Sequence, residues 1–173
     1  MKITNFCAFL TAFVLILLPS CLSNNNETTD YTAWRNLNEL YLDSIATDMT
    51  EGHLSYEKIT PVWDPSVYTY VRWHNDRSQN VNKLNPLSNS TIIVKYTLTN
   101  IAGDTLDSSS SFSCVPNQMV TGFWNAVTHM NVHDTVTAVI PYNAGYGVYG
   151  SGKIPPYSTL TFGIRLDSIS NLY

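Results

Sequence analysis

The sequence predicts an α+β domain: an antiparallel β-sheet wrapped around one short α-helix, with a helical extension on the N-terminal side. Three observations carry this. Phe123, Ala126, Val127 and Met130 fall at i, i+3, i+4 and i+7, the stripe of a short amphipathic helix over Gly122 to Met130. Three segments alternate with period 2: Ile92, Val94, Tyr96 and Leu98; Val136, Ala138 and Ile140; and Leu160, Phe162, Ile164 and Leu166. A second stripe, Trp34, Leu37, Tyr41 and Ile45 with Leu40 and Ala46 beside it, marks the extension.

The chain of 173 residues suits one domain plus an extension. Its net charge of −4, with only 13% charged residues, lacks the basic character that nucleic-acid binding needs. Lys2 followed by the apolar run Ile3 to Leu18 is too short for a span of about 20 residues and reads as a secretory signal. The following Leu18-Pro19-Ser20-Cys21 resembles a bacterial lipoprotein cleavage box. The organisation expected is therefore a signal peptide over 1–20, lipidation at Cys21, a polar tether over 21–30, a helix over 31–52 and the main domain over 53–173. An ordinary signal peptide cut nearby is the alternative. The resemblance implies an anchored protein of the bacterial cell envelope, at the outer membrane. With Cys7 in the signal and Cys21 blocked by lipid, Cys114 stands alone, so no intramolecular disulfide is expected.

In chain order, Asp30 or Thr32 caps the first helix and Gly52 follows its end. This helix docks on its own domain or makes a homodimer contact; both readings stand. Tyr56 to Ile59 and Val67 to Trp73 alternate like strands between the punctuating Pro61 and Pro65, and His74 to Asn85 is a polar loop. Thr91 to Leu98 is a strand, Asn100 to Asp104 a turn, and Leu106 to Ser109 resumes the strand. After the Gly122 to Met130 helix, Asn131 to Asp134 breaks the chain before the strand Thr135 to Ile140. A loop then carries Tyr142, Tyr146 and Tyr149 among glycines and ends in Ile154-Pro155-Pro156 before the last strand. Helix, strand, aromatic loop and strand make a wall for an apolar pocket.

Four motifs in this part occur in a set order. They are Val120-Thr121-Gly122-Phe123, Tyr142-Asn143-Ala144-Gly145-Tyr146-Gly147, Ile154-Pro155-Pro156 and Ser158-Thr159-Leu160-Thr161-Phe162. Order and spacing resemble those of the FKBP-type peptidyl-prolyl cis-trans isomerases, best matched over 91–167. The resemblance implies an FKBP-like fold. It also implies isomerisation of X–Pro bonds in proline-containing exported polypeptides, with folding assistance and no cofactor or metal. It places Phe123, a tryptophan in most members, as the floor under a proline ring. Tyr96, Val120, Ile154 and Phe162 become pocket walls, with the Val120 N–H as a further donor. Tyr146 becomes the hydroxyl that bonds a client carbonyl, and Asp107 the rim carboxylate. Phe112, Met119 and Leu106, the last replacing a phenylalanine, are secondary pocket candidates. Lys153 adds a charge before the I-P-P turn. The rival reading is an FKBP-like lipoprotein of little or no turnover that binds clients as a chaperone.

Other chemistries find little support. His129 and His133 have the i, i+4 spacing of a metal pair, but a turn separates them and no third ligand follows. Cys114 reads as a small apolar filler. No G-x-S-x-G or phosphate-binding loop is present.

Overall fold

The structure, a computed structural model, describes residues 29–80 and 83–171. The signal, Cys21 and most of the tether lie outside the described residues.

Six strands form an antiparallel sheet in the order β3-β4-β7-β8-β5-β6. They are β3 (Glu57–Ile59), β4 (Thr69–Trp73), β5 (Thr91–Thr99), β6 (Thr105–Cys114), β7 (Thr135–Ile140) and β8 (Leu160–Asn171). The helix α2 (Thr121–Thr128) lies on one face and α1 (Thr32–Thr47) on the other. Between α1 and the sheet, β1 (Met49–Thr50) and β2 (His53–Leu54) make a small hairpin. Gly52, with φ +82°, sits at the tip of that hairpin and not at the end of α1, which stops at Thr47 as Asp48 turns extended.

The alternating residues meet as expected. Ile92, Val94, Val136, Ala138, Ile140, Leu160, Ile164 and Leu166 are buried against Phe123, Ala126, Val127 and Met130 of α2 and its end. Apolar area removed from water, at about 25 cal/mol per Å², drives this packing. β6 is the exception in pattern, since Ser108 to Ser111 offers no apolar alternation. Its pairing with β5 slips between Val94 and Tyr96, opposite this serine run, so β6 bulges there.

The N-terminal helix docks on its own domain. Leu42 and Ile45 bury against Val139, the one outward residue of β7 that is fully enclosed. Leu37 and Leu40 differ from expectation: both are exposed, at 54% and 64%. The face that packs is instead Trp34, Asn38, Tyr41, Leu42 and Ile45, a stripe interrupted by a polar residue. Asn38 is buried because it is bonded: its Oδ1 accepts the Thr159 N–H at 2.6 Å and its amide donates to the Trp34 carbonyl at 2.8 Å. The Trp34 indole donates to Ser158 Oγ (3.1 Å), and Ser158 Oγ donates to the Pro155 carbonyl (2.7 Å). Tyr41 and Thr161 share a further bond at 3.3 Å. The helix is thus fastened along the I-P-P turn and the start of β8. The helix is capped by neither Asp30 nor Thr32: its N-cap is Tyr31, which makes no side-chain cap bond, while Asp30 just before it accepts the Thr32 N–H at 2.9 Å.

The break after α2 is held by a buried carboxylate. Asp134 accepts from Asn80 Nδ2 (2.7 Å), Asn75 Nδ2 (3.0 Å), the Asn131 N–H (2.9 Å) and Arg77 Nε (3.3 Å). Burial opposes its ionisation, but these donors and the Arg77 charge prevail and hold its pKa below the ordinary aspartate value.

Candidate active site

Where α2 crosses the sheet, four aromatic rings form a continuous chain of two edge-to-face contacts and one tilted contact. Phe123 of α2 meets Phe162 of β8 at 5.4 Å between centroids, and Phe162 meets Tyr96 of β5 at 6.0 Å. Tyr96 in turn meets Phe112 of β6 at 5.4 Å, and such pairs fix ring orientation beyond simple burial. With Leu98, Asp107, Met119 and Tyr146 these rings enclose a hollow of about 200 Å³. Phe123 and Phe162 are almost wholly buried at its base, while Tyr96, Phe112 and Met119 are half-buried.

The polar groups stand at the rim. The Tyr96 hydroxyl donates to Asp107 Oδ2 at 2.6 Å, and the Ser108 N–H bonds Asp107 Oδ1 at 2.8 Å. Burial of the Tyr96 ring, then its bond to Asp107 and the charge there, pushes its pKa up to about 12. Tyr96 therefore stays a neutral phenol whose proton is committed to Asp107. The Tyr146 hydroxyl makes no hydrogen bond among the described residues, so its proton is uncommitted.

Of the residues expected in the pocket, Tyr96, Asp107, Phe112, Met119, Phe123, Tyr146 and Phe162 come together in this hollow. Ile154 and Leu106 do not line it. They line a neighbouring hollow of about 270 Å³ with Leu98, Asp107, Tyr146, Ser151 and Lys153. Val120 is half-buried at the start of α2 and packs against the core without lining either hollow. Its N–H finds no acceptor among the described residues.

The shape of the loop above the site depends on Gly150. At φ +69° a Cβ would collide with the Ile154 carbonyl and the Pro155–Pro156 link. The Ser151–Ile154 bridge, with Ser151 N–H to the Ile154 carbonyl at 2.9 Å, then turns the chain into the two prolines. Tyr142 and Tyr157 flank this turn edge-to-face at 5.4 Å, with the Arg35 guanidinium of α1 over both. Sequence periodicity missed this bracing, because Asn38 is polar and Arg35 belongs to the exposed side of its helix. The proline-punctuated Pro61 and Trp63 stretch was also legible only as a loop. It stacks Trp63 on Trp124 of α2 at 4.7 Å, on a different side of the helix from Phe123.

Among the described residues no thiol lines either hollow. Cys114 lies outside both hollows, and burial pushes its thiol up to about 11, so it is not a thiolate at neutral pH. α2 ends at Thr128, so His129 and His133 do not share a helix turn. His129 Nδ1 instead bonds the Asn125 carbonyl at 2.7 Å, and His133 is exposed at φ +76°.

A sequence model of the FKBP-type peptidyl-prolyl cis-trans isomerases matches residues 83–167, the stretch that supplies every residue of the hollow. This stretch of the chain is FKBP-type in sequence. Among curated FKBP-type relatives, a macrophage infectivity potentiator of Trypanosoma cruzi is 42% identical over 57 residues. That match covers 32% of this chain and 29% of the relative, so the chain spans under a third of its length. Two solved structures share the fold. A peptidyl-prolyl cis-trans isomerase of Pseudomonas syringae pv. tomato superposes with a TM-score of 0.68 at 18% identity, covering 82% of this chain and 97% of that one. FkpA of Escherichia coli superposes with a TM-score of 0.67 at 20% identity, covering 80% and 60%. The α+β architecture, with its antiparallel sheet and N-terminal helix, is the FKBP-type arrangement.

Proposed function

We propose that this FKBP-type domain accelerates cis/trans exchange of X–Pro bonds in exported polypeptides at the bacterial cell envelope. The observation that carries this is the ring-lined hollow of about 200 Å³ with one uncommitted hydroxyl, Tyr146, at its rim.

Exchange at proline is slow because amide resonance sets a barrier of about 18–20 kcal/mol. The twisted transition state has lost that resonance, so its carbonyl is more ketone-like and less in need of water. A site that buries the proline ring against Phe123 and Phe162 favours the twisted amide over the planar one. Tyr146 donates to a flanking carbonyl and holds the chain while the bond turns. Asp107 fixes Tyr96 against Phe112 and keeps the hollow open. The reaction needs neither metal nor cofactor, and every group in it is supplied by side chains. Lipidation of Cys21 would keep the domain at the membrane, where newly exported clients arrive unfolded.

Exchange of short X–Pro peptides measured with the whole chain tests the reading. Tyr146→Phe should lower kcat/KM about two- to tenfold, the worth of one neutral hydrogen bond. Asp107→Ala should lower it as well. The binding-only alternative draws on Phe at 123 and Leu at 106; it gives peptide binding with no acceleration. The anchor has its own test: Cys21→Ser should move the protein from the membrane fraction to the soluble one.

A further inference from the structure

The second hollow adjoins the first. Leu98, Asp107 and Tyr146 line both, so a chain whose proline occupies the aromatic hollow passes its neighbouring residue over this shared ridge. The second hollow is chemically different. Leu98, Leu106 and Ile154 give it apolar walls, whereas Ser151 and Lys153 give it a hydroxyl and an ammonium. Lys153 is exposed and pairs with no carboxylate among the described residues. Asp107 is the acidic group in the same hollow, but both its oxygens already accept hydrogen bonds, from Tyr96 and from the Ser108 N–H. Lys153 is thus the charged group of this hollow with no bonded partner among the described residues.

We propose that this hollow is a subsite for an acidic side chain next to the proline, with Lys153 as the residue that sets the preference. The proposal rests on the proline ring occupying the aromatic hollow. A glutamate entering here lays its methylenes on Leu106 and Ile154, and its carboxylate meets the Lys153 ammonium and the Ser151 hydroxyl. The clients favoured are polypeptides with an acidic residue flanking proline. The volume of about 270 Å³ leaves room for such a side chain with part of its water.

The test compares peptides that carry Glu, Gln, Leu or Lys immediately before proline, and a second series with the same residues immediately after it. The protein is the whole chain, as wild type, Lys153→Gln and Lys153→Glu. In one of the two series, wild type should favour Glu over Gln in kcat/KM by about two- to fivefold, the range of an exposed ion pair. That ratio should fall with added salt, reach unity in Lys153→Gln and invert in Lys153→Glu. Equal use of Glu and Gln in both series, or a preference for Lys drawn by Asp107, overturns the subsite. Failure of the isomerase reading is separately visible as no acceleration of any peptide, the Leu peptides included. In that case peptide titration followed by NMR gives the Glu-to-Gln ratio of dissociation constants, and a ratio of one overturns the subsite there too.

Discussion

Gly150 shows how much of the site can depend on a missing atom. Its positive φ costs a side chain roughly 1–2 kcal/mol, and the overlap with Ile154 adds the price of overpacking. Gly147 has a similar φ of +66° but open space around it. Gly150→Ala should therefore lose about 2–4 kcal/mol of stability and Gly147→Ala only about 1 kcal/mol, read from urea midpoints at constant m. Asp134 makes the second prediction at this scale. Its folded pKa lies below the unfolded value, so its contribution is fully present above about pH 4 and is lost as pH falls through the folded pKa. Asp134→Asn should cost about 3 kcal/mol at neutral pH, since its amide turns a donor either toward Asn75 and Asn80 or toward the Asn131 N–H and Arg77. The variant should also lose less stability than wild type on acidification, which urea unfolding across pH measures. The pocket residues themselves were legible through motif order. Val120, Ile154 and Leu106 lie outside the aromatic hollow, because neighbouring residues in a motif need not face the same space.

At the scale of elements, α1 is more than an appendage, because its polar residues hold the I-P-P turn. Asn38→Ala removes the acceptor of the buried Thr159 N–H and should cost about 1–3 kcal/mol by chemical denaturation. Leu37→Glu, on the exposed side of the same helix, should stay within about 0.5 kcal/mol. Elements that announce themselves by period were readable in advance: α2, β5, β7 and β8 each bury one clean face. α1 was readable as a helix but not in its contact face, since a bonded asparagine looks solvent-seeking in any apolar count. β6 carried almost no period, because its serines face water or fill a bulge. The strands β1 and β2 are two residues each, too short to leave a pattern.

For the molecule as a whole, the sheet order joins strands far apart in the chain. β5 pairs with β8 along its whole length, linking Thr91 to Asn171, and β4 reaches β7 across the segment that forms β5, β6 and α2. Such closures come late and cost chain entropy, so refolding should take milliseconds to seconds, as stopped-flow fluorescence would show. This order is invisible to local periodicity, which says which face of a strand is buried but not which strand lies beside it.

The stacked indoles of Trp63 and Trp124, 4.7 Å apart and 20° from parallel, give the molecule an optical handle. Coupled transition dipoles at that spacing produce a split circular-dichroism band, and Trp63→Phe should abolish it. Trp124 precedes none of the pocket walls but follows Phe123 directly in α2. Any tilt of that helix when a peptide enters should therefore rotate one chromophore against the other. One side of the helix becomes a built-in gauge of what happens at another.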